Sequence, residues 1–485
     1  MVPVKCSAVG ISYRDANCFL DQLETEKTEV HGIVVMRHGS TAFEGYWAPY
    51  GPGVIHGDQS LTKTVTGIAL GAAIHEGLIR LDERLIDIFP EYRPLTEGKP
   101  YWDELQLRHI ATMSAGMDTQ PAPMRPGFVE GFFQTEIHHR PGTAYMYNSI
   151  ACSMVGMCIK KRSGQGLLDY LSDRVFRKIG IDPGHLMWHR HPDGIENGSG
   201  GFVSTTRDNA LLMELYRRGG VWNDERILDA DWVDFALRVQ NPHVGGDALY
   251  GGMMWIRQHT ASADGAMGQW SILFPEKDTV VSITQTITDP KVDARVRQHI
   301  EDFVLGLSDH EVPWTEEEEA AFTQRLARLS IPHPECRENA SAVKALCGRT
   351  LRVADGSTHF FADDLNIFDL AYVNPVRSFC FERQGDDLVV NIDSEQGRAA
   401  VPVALRGYRP VFDVPPLGPN PARTSSVTGF FPNDHTLVME VRWLESCRVH
   451  FITVCWNEEG ADITTSRVPV GGFDVPDETV HALWC

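Results

Sequence analysis

The chain has 485 residues, of which 42% are apolar, and a formal net charge of −21 at pH 7. A chain of this length exceeds one ordinary hydrophobic core, so the sequence predicts two domains. The excess of negative charge disfavours nucleic acid and anionic membranes as partners, because phosphate groups are bound by basic patches. No uncharged apolar run of about 18 residues is present, so no membrane-spanning segment is predicted.

The N-terminus lacks the apolar core of a signal peptide, and the chain is therefore expected to be cytoplasmic. Its ten cysteines are scattered without zinc-ligand spacing, which indicates reduced thiols. The three histidines His185, His189 and His191 share a loop with Pro and Gly and lack ligand spacing, so no metal is predicted. The glycine-rich residues 198–201 lack a preceding strand and a phosphate-loop Lys, so no nucleotide cofactor is predicted either.

The first elements in the chain are a helix and a hairpin. Residues 11–25 have the apolar spacing of an amphipathic helix. Residues 32–37 and 41–47 have the pattern of two strands, and the turn residues His38-Gly39-Ser40 join them.

The stretch Ser60-Leu61-Thr62-Lys63 combines a nucleophile with a base one helical turn away. It precedes a mostly apolar run at residues 65–79, so Ser60 is predicted to be a helix N-cap. Residues three apart on a helix share a face, and the hydroxyl of Ser60 can therefore meet the amine of Lys63. A serine needs such a base to become a good nucleophile. The alternative is a capped surface helix, since Ser-x-x-Lys arises by chance about once or twice in a chain of this length.

The chain is mostly helical from there to residue 250, with helices predicted at residues 105–113, 167–179 and 209–218. Residues 269–274 and 279–286 then alternate as strands on either side of a turn. Residues 293–307 have the spacing of a closing amphipathic helix.

Two further stretches carry chemistry when they are taken together with Ser60-Leu61-Thr62-Lys63. Residues 141–149 have the sequence Pro-Gly-Thr-Ala-Tyr-Met-Tyr-Asn-Ser and precede an apolar helix, and residues 264–269 have the sequence Asp-Gly-Ala-Met-Gly-Gln before the strand pair. In this order, the three stretches resemble the motifs of the serine β-lactamase and penicillin-binding-protein superfamily, specifically its class C β-lactamase-like esterases and amidases. The resemblance covers about residues 20–307.

The resemblance implies an α/β fold of the β-lactamase/transpeptidase type, in which helices flank an antiparallel sheet and a helical subdomain is inserted. We therefore expect a serine hydrolase domain at residues 1–307 and a charged helical linker at 308–340. Residues 341–485 are expected to form a C-terminal β-rich, barrel-like domain, because short alternating strands are predicted at 388–392, 401–405, 436–443 and 448–456.

The resemblance also implies roles for individual residues. Ser60 would be the acylated nucleophile, and Lys63 would shuttle a proton or lower the proton affinity of its neighbours. Tyr147 stands at the Tyr of the family's Tyr-x-Asn motif and would accept the Ser60 proton, pass it to the leaving group and later activate water; its alternative reading is a buried aromatic. The oxyanion hole would be the backbone N–H groups of Ser60 and Ala266.

The third residue of the Tyr-x-Asn motif departs from the family. Ser149 stands in place of the Asn that contacts the amide side chain of a β-lactam. A hydroxyl offers fewer hydrogen bonds than a carboxamide, so recognition of a lactam by Ser149 is in doubt. Asn148 turned toward the substrate is the alternative.

The third motif departs further, because Ala263-Asp264-Gly265 stands where the family carries Lys-Thr-Gly. The cation that grips a substrate carboxylate is missing, and an unpaired Asp264 beside its position would repel anions. Gly265 would allow a substrate carbonyl to approach closely. His259 is a rival for the missing position, although it lies several residues out of register.

The expected activity is that of a serine hydrolase that cleaves an ester or amide of a small molecule or short peptide through a Ser60 acyl-enzyme. Three alternatives stay open: an acyltransferase of the same fold, a non-catalytic binding or sensor module, and a true β-lactamase or D-Ala carboxypeptidase. Intact Ser60, Lys63 and Tyr147 argue against the sensor, whereas Ser149 and Asp264 argue against the lactamase. The sequence is compatible with a homo-oligomer.

Overall fold

The structure is a computed structural model that describes residues 4–26, 28–122, 126–332, 339–355, 376–395, 397–407, 412–413, 424–446, 449–468 and 477–485. The chain divides into two compact units. The first unit comprises Met1–Gly45 and Gly57–Ala327, and the second comprises Tyr46–His56 and Arg328–Cys485. The segment boundaries expected from sequence, at 307/308 and 340/341, stay predictions.

The first unit is built on a seven-stranded antiparallel sheet that contains the predicted N-terminal hairpin and the predicted later strand pair. Its strand order is Ser40–Tyr46, Glu29–Arg37, Thr279–Thr286, Gln269–Phe274, Ala261–Gly265, Trp255–Ile256 and Leu249–Tyr250. The hairpin turns at His38 and Gly39, both of which have positive φ. Every residue of Gln269–Phe274 and Thr279–Thr286 is buried, because helices cover both faces of the sheet there.

Helices make up most of the remainder of the first unit. They are Tyr13–Thr25, Thr62–His75, Leu85–Ile88, Arg93–Thr96, Leu107–Ala111, Phe128–Gln134, Ser149–Ser163, Leu167–Leu171, Arg177–Ile179, Thr206–Arg217, Ala230–Ala236, Pro290–Leu305 and Glu316–Leu326. The short strands are His56–Gly57, Met187–Trp188, Phe202–Ser204, Val221–Trp222 and Glu225–Arg226. The helix predicted over 167–179 is present but passes through a π-helical segment, Ser172–Phe176.

The first and last long helices of this unit pack against each other on one face of the sheet. Phe19 of Tyr13–Thr25 stacks on Phe303 of the closing helix Pro290–Leu305, with ring centroids 4.4 Å apart. Helix Glu316–Leu326, which lies in the predicted linker, packs on the same unit through Phe322, whose ring centroid is 5.6 Å from that of Tyr13. Thr315 and Glu318 begin that helix with a capping box.

The helix that follows Ser60, Thr62–His75, is called the serine helix here. Twelve successive residues of it are buried, from Thr62 through Ala73. Twelve consecutive residues cover every face of a helix, so neighbouring segments enclose this one on all sides. Gly71 permits one of these contacts, because a Cβ there would lie 2.2 Å from Cδ1 of Trp232.

The second unit is a near-closed antiparallel sheet, in agreement with the predicted barrel-like domain. Its strand order is Gly397–Val403, Asp387–Ser394, Val376–Gln384, Thr350–Asp355, Glu478–Trp484, Gly460–Arg467, Val449–Trp456, Thr436–Trp443, Thr424–Asn433 and Phe412–Asp413. The first strand returns to the ninth, because the N–H of Ala404 donates to Val427 O at 2.9 Å and that of Gly429 donates to Ala404 O at 2.8 Å. The short helix Ala340–Leu346 precedes these strands.

None of the helices that the structure describes has both the length and the apolar character that a membrane-spanning helix requires.

The fit of Gly71 against Trp232 can be tested by substitution. Gly71→Ala should lower the melting temperature, since overpacking a core costs about 1–3 kcal/mol and outweighs the roughly 1 kcal/mol that alanine gains in a helix. Gly67→Ala on the same helix is the control, because its new Cβ would meet its nearest neighbour, Met253 Cβ, at 3.2 Å. Calorimetry should rank Gly71→Ala below Gly67→Ala; equal melting temperatures would contradict this packing.

Candidate active site

Ser60 lies in a tight turn rather than at a helix N-cap. The turn Gln59–Leu61 is 3₁₀-helical, and the serine helix starts one residue later with Leu61 at its N-cap position. The predicted capping role of Ser60 is therefore wrong. Gln59 has a positive φ of 50°, which bends the chain so that half-buried Ser60 stands at the entrance of the serine helix.

Lys63 is buried beside Ser60, with only 2% of its surface exposed. Its Nζ lies 3.0 Å from Ser60 Oγ and 2.7 Å from the carbonyl oxygen of Ser199. The acceptor of the second bond belongs to the glycine-rich residues 198–201, whose sequence did not predict a role in this site. Thr66, on the same helix, donates to Gly198 O at 2.7 Å and fixes that loop. The structure thus holds the amine of Lys63 within proton-transfer distance of the Ser60 hydroxyl.

Tyr147 completes the group around Lys63. The Lys63 Nζ lies 4.8 Å from the centroid of the Tyr147 ring. That ring also stacks nearly parallel on Trp255, at 6.0 Å between centroids and an interplanar angle of 13°. The sequence had indicated Tyr147, whereas Trp255, in a two-residue strand, carried no motif that would have indicated its position.

The loop that carries Tyr147 is held by main-chain bonds on either side of it. The N–H of Met146 donates to Met113 O at 3.1 Å, and the N–H of Asn148 donates to Met113 Sδ at 3.2 Å. The Asn148 side chain caps helix Ser149–Ser163 by accepting from Ala151 N–H at 2.8 Å. Asn148 is therefore a helix cap rather than a group turned toward substrate, and half-buried Ser149 is the first residue of the helix.

The backbone at Gly265 meets the turn that carries Ser60. A Cβ at Gly265 would lie 2.2 Å from the carbonyl oxygen of Asp58, so only glycine fits. In the direction of a side chain, the space at Gly265 is thus filled by the Asp58 carbonyl, whereas a substrate carbonyl was the predicted neighbour. Ala266 follows as the exposed first residue of the turn Ala266–Gly268, whose other two residues are buried, and Gln269 braces that turn by donating to Met267 O at 3.2 Å. The Ala266 backbone therefore lies next to the Ser60 turn.

Asp264 is paired, contrary to the expectation of a free carboxylate. It accepts from Arg257 at 2.9 Å and from Arg297 at 3.1 Å, and its side chain is 14% exposed. Arg297 belongs to the closing helix, so Asp264 faces the helix that covers the sheet while its neighbour Gly265 meets the Ser60 turn. Burial alone would raise the pKa of the Asp264 carboxyl, but the two guanidinium groups outweigh burial and hold it below its ordinary value.

His259 lies at the other end of strand Ala261–Gly265 from Ala266. Six residues separate it from Gly265, which is roughly 20 Å along a strand. Its Nδ1 is 3.5 Å from a carboxylate oxygen of Glu276, in the turn between the next two strands. The structure therefore does not bring His259 close to Ser60, and His259 does not replace the missing cation.

No metal-binding arrangement accompanies this group in the residues that the structure describes, where no cluster of three or more His, Cys, Asp or Glu side chains has suitable geometry. His185, one of the loop histidines, instead contacts Asp208 at 2.7 Å. That contact raises the pKa of the His185 imidazole.

Most of the first unit matches a known protein family. The family model described as Beta-lactamase matches residues 20–305. Lovastatin esterase from Penicillium rubens is 25% identical over 148 residues, which cover 25% of this chain and 37% of that protein. A β-lactamase from Yersinia enterocolitica is 26% identical over 127 residues, covering 25% of this chain and 31% of that protein. The chain thus matches only about a third of the length of these curated relatives.

A solved structure supports the same fold. A penicillin-binding protein homologue from Caulobacter crescentus superposes with a TM-score of 0.50 and 13% sequence identity. The superposition covers 60% of this chain and 97% of that one. At this level of identity, the likeness concerns the fold of the chain and not its substrate.

The pairing of Asp264 predicts a pH-dependent contribution to stability. Asp264→Asn should lower the free energy of unfolding by about 1–3 kcal/mol at neutral pH, since hydrogen bonds to charged groups are lost. Because the folded-state pKa is lowered, the contribution is fully present above the unfolded-state pKa of about 3.9 and is lost as the pH falls below it.

Denaturant unfolding at several pH values checks this expectation. The difference in the free energy of unfolding between wild type and Asp264→Asn should be constant from pH 7 down to about 5 and should shrink below about 4. Asp302→Asn is the control, because this exposed carboxylate on the same closing helix accepts only from Gln298 among the bonds seen in the described residues. A difference in unfolding free energy that does not change with pH would contradict the pairing of Asp264 with Arg257 and Arg297.

Proposed function

The chain belongs to the β-lactamase family, and we propose that it is a serine hydrolase that cleaves an ester or amide of a small molecule or short peptide through an acyl-enzyme on Ser60. The contact that carries this proposal is the 3.0 Å bond between Lys63 Nζ and Ser60 Oγ. A serine becomes a nucleophile when a base is held within hydrogen-bond reach of it. Burial of Lys63 keeps water from competing for that bond.

In the acylation step, Ser60 Oγ forms a bond to the carbonyl carbon of the substrate while its proton leaves along a path shared by Lys63 and Tyr147. Lys63 Nζ lies within hydrogen-bond reach of Ser60 Oγ and beside the Tyr147 ring, so these two side chains are the proposed carriers of that proton. The bond between the acyl carbon and the leaving group then breaks, and the same proton is delivered to the departing oxygen or nitrogen.

In the deacylation step, water replaces the leaving group. Its oxygen forms a bond to the acyl carbon, its proton passes to Tyr147, and the bond to Ser60 Oγ breaks as the proton returns to Ser60. Both steps develop negative charge on the acyl oxygen. The backbone N–H groups of Ser60 and Ala266 are the proposed donors to that oxygen, and the contact between Gly265 and the Asp58 carbonyl keeps the two donor segments together.

The residues near Ser60 favour an ester substrate that has no carboxylate for the protein to bind. Ala263 stands where the family's cation would be and is 2% exposed, so that position offers no charge to a penicillin or a D-Ala peptide. Ser149, at the start of its helix, is the proposed polar contact for the acyl group. The partial similarity to lovastatin esterase supports esters as the first class to test.

The nucleophile is tested by removing its oxygen. Ser60→Ala should abolish hydrolysis of an activated ester. The variant should still fold, with a lower melting temperature, because buried Lys63 loses its bond to Ser60 Oγ but keeps its bond to the Ser199 carbonyl. Ser163→Ala is the matched control, since Ser163 ends helix Ser149–Ser163, about 20 Å along its axis from Ser149. Turnover by Ser60→Ala at the wild-type rate would show that another residue is acylated.

The shared proton path is tested by a double-mutant cycle. Lys63→Met and Tyr147→Phe should each lower kcat by about 10²–10⁴-fold, the range for general acid–base groups. The double variant should lose little more than either single variant, because both residues act on one proton. Tyr145→Phe, two residues away, should lose far less activity and is the control. Fully additive losses in the double variant would rule out a shared path.

A further inference from the structure

A buried carboxyl group lies two residues before Ser60, and the proton path does not use it. Asp58 is 0% exposed, and so is Ser204, which ends strand Phe202–Ser204. Asn209, on helix Thr206–Arg217, is 2% exposed. The distance from Ser204 Oγ to Asp58 Oδ2 is 2.6 Å, and that from Asn209 Nδ2 to Asp58 Oδ1 is 2.5 Å. A third contact, from Ser204 Oγ to Asn209 Oδ1 at 3.1 Å, closes a ring of three side chains.

The number of hydrogens in this ring decides the protonation state of Asp58. Ser204 has one hydroxyl hydrogen, and the Asn209 Oδ1 can only accept. If Asp58 were ionised, the Ser204 hydrogen would serve either the carboxylate or Asn209, and the remaining contact would press two acceptors together. If Asp58 carries a proton on Oδ2, it donates to Ser204, Ser204 donates to Asn209, and Asn209 donates back to Asp58. Three hydrogens then satisfy three contacts.

The main chain at Asp58 links this ring to the reacting groups. The Asp58 N–H donates to Phe202 O at 3.0 Å, and the Asp58 carbonyl accepts from Leu61 N–H at 3.1 Å. The same carbonyl is the atom that approaches Gly265. Fixing the Asp58 side chain therefore fixes the position of the Ser60 turn relative to the strand that leads into Ala266.

We propose that Asp58 is a neutral carboxylic acid that acts as a positioning residue, holding the Ser60 turn through a closed hydrogen-bond ring with Ser204 and Asn209. The proposal rests on the proposed function, because positioning matters only if Ser60 is the nucleophile. A neutral acid anchors the turn without placing a negative charge two residues from Ser60. Such a charge would oppose the negative charge that develops on the acyl oxygen during attack.

The charges around Asp58 favour the neutral form. Burial raises the pKa of the Asp58 carboxyl well above its ordinary value, its two hydrogen-bond partners offset only part of that rise, and the Asp208 carboxylate adds to it. Asp208 is itself bound to His185 at 2.7 Å. Lys63 Nζ contacts Ser60 and a backbone carbonyl, and no bond from it to Asp58 is present among the described residues.

The protonation state is tested by infrared spectroscopy on the full-length protein with its aspartate carboxyls labelled with carbon-13. The wild type at neutral pH should show the label-shifted C=O stretch of a protonated, hydrogen-bonded carboxyl, and Asp58→Asn should lack that band. Subtracting the Asp58→Asn spectrum from the wild-type spectrum removes the bands of other protonated carboxyls. Asp293 is one candidate, because burial raises the pKa of its carboxyl as well. Identical spectra of the two proteins would overturn the proposal.

The positioning role is tested by kinetics on three variants. Asp58→Asn retains one donor and one acceptor in the same places, so its kcat should stay near the wild-type value. Asp58→Ala opens the ring and should lower kcat by about tenfold to a hundredfold, the effect of a small misplacement, with a smaller change in KM. Ser204→Ala, which also opens the ring, serves if Asp58→Ala does not fold.

The outcomes separate this proposal from the assignment of Ser60. A wild-type kcat in both ring-opening variants would overturn the positioning role, as would an Asp58→Asn protein that is folded but as slow as Asp58→Ala. If the wild type turns over substrate without acylation of Ser60, the assignment of the nucleophile fails, while the infrared difference still reports the protonation of Asp58.

Discussion

The burial of the Lys63 amine is the constraint on which the rest of the site depends. Taking a lysine head group out of water is costly unless hydrogen-bond partners replace the water. Here those partners are Ser60 Oγ and the Ser199 carbonyl, and the Tyr147 ring lies 4.8 Å away. The three groups come from three separate segments: a tight turn, a glycine-rich loop, and the stretch before a helix. Satisfying one buried amine therefore brings the nucleophile, its base and the candidate proton carrier together.

The sheet supplies the rigid wall against which this group is assembled. Its two central strands, Gln269–Phe274 and Thr279–Thr286, are buried on both faces, and strand Ala261–Gly265 lies beside them. The last residue of that strand is a glycine, because the Asp58 carbonyl occupies the space of a side chain. The Ser60 turn is thus held from two directions, by the strand at Gly265 and by the buried ring at Asp58. Rigid support of this kind is what preorganised donors to an oxyanion require.

Local spacing was sufficient to predict the features of the site that lie close together in sequence. The contact between Ser60 and Lys63 follows from a three-residue separation, and the strand pair follows from alternation on either side of a turn. The partners of Asp264 and Asp58 could not be predicted in this way, because Arg297 lies 33 residues from Asp264 and Ser204 lies 146 residues from Asp58. The same holds for the second unit, where alternation predicted strands but not the return of Ala404 to Val427. The expectation of a free Asp264 failed because a sequence shows a charge without its partners.

Mass spectrometry of the intact protein, after brief exposure to matched ester, amide and lactam substrates, tests the central claim most directly. The account predicts a covalent adduct with the mass of the acyl group, located on Ser60 by peptide mapping and strongest with the ester. The adduct should be absent from Ser60→Ala. An acyl group on a different residue, or continuing turnover of the ester without any acylated species under quench conditions that trap such adducts in other serine hydrolases, would contradict it.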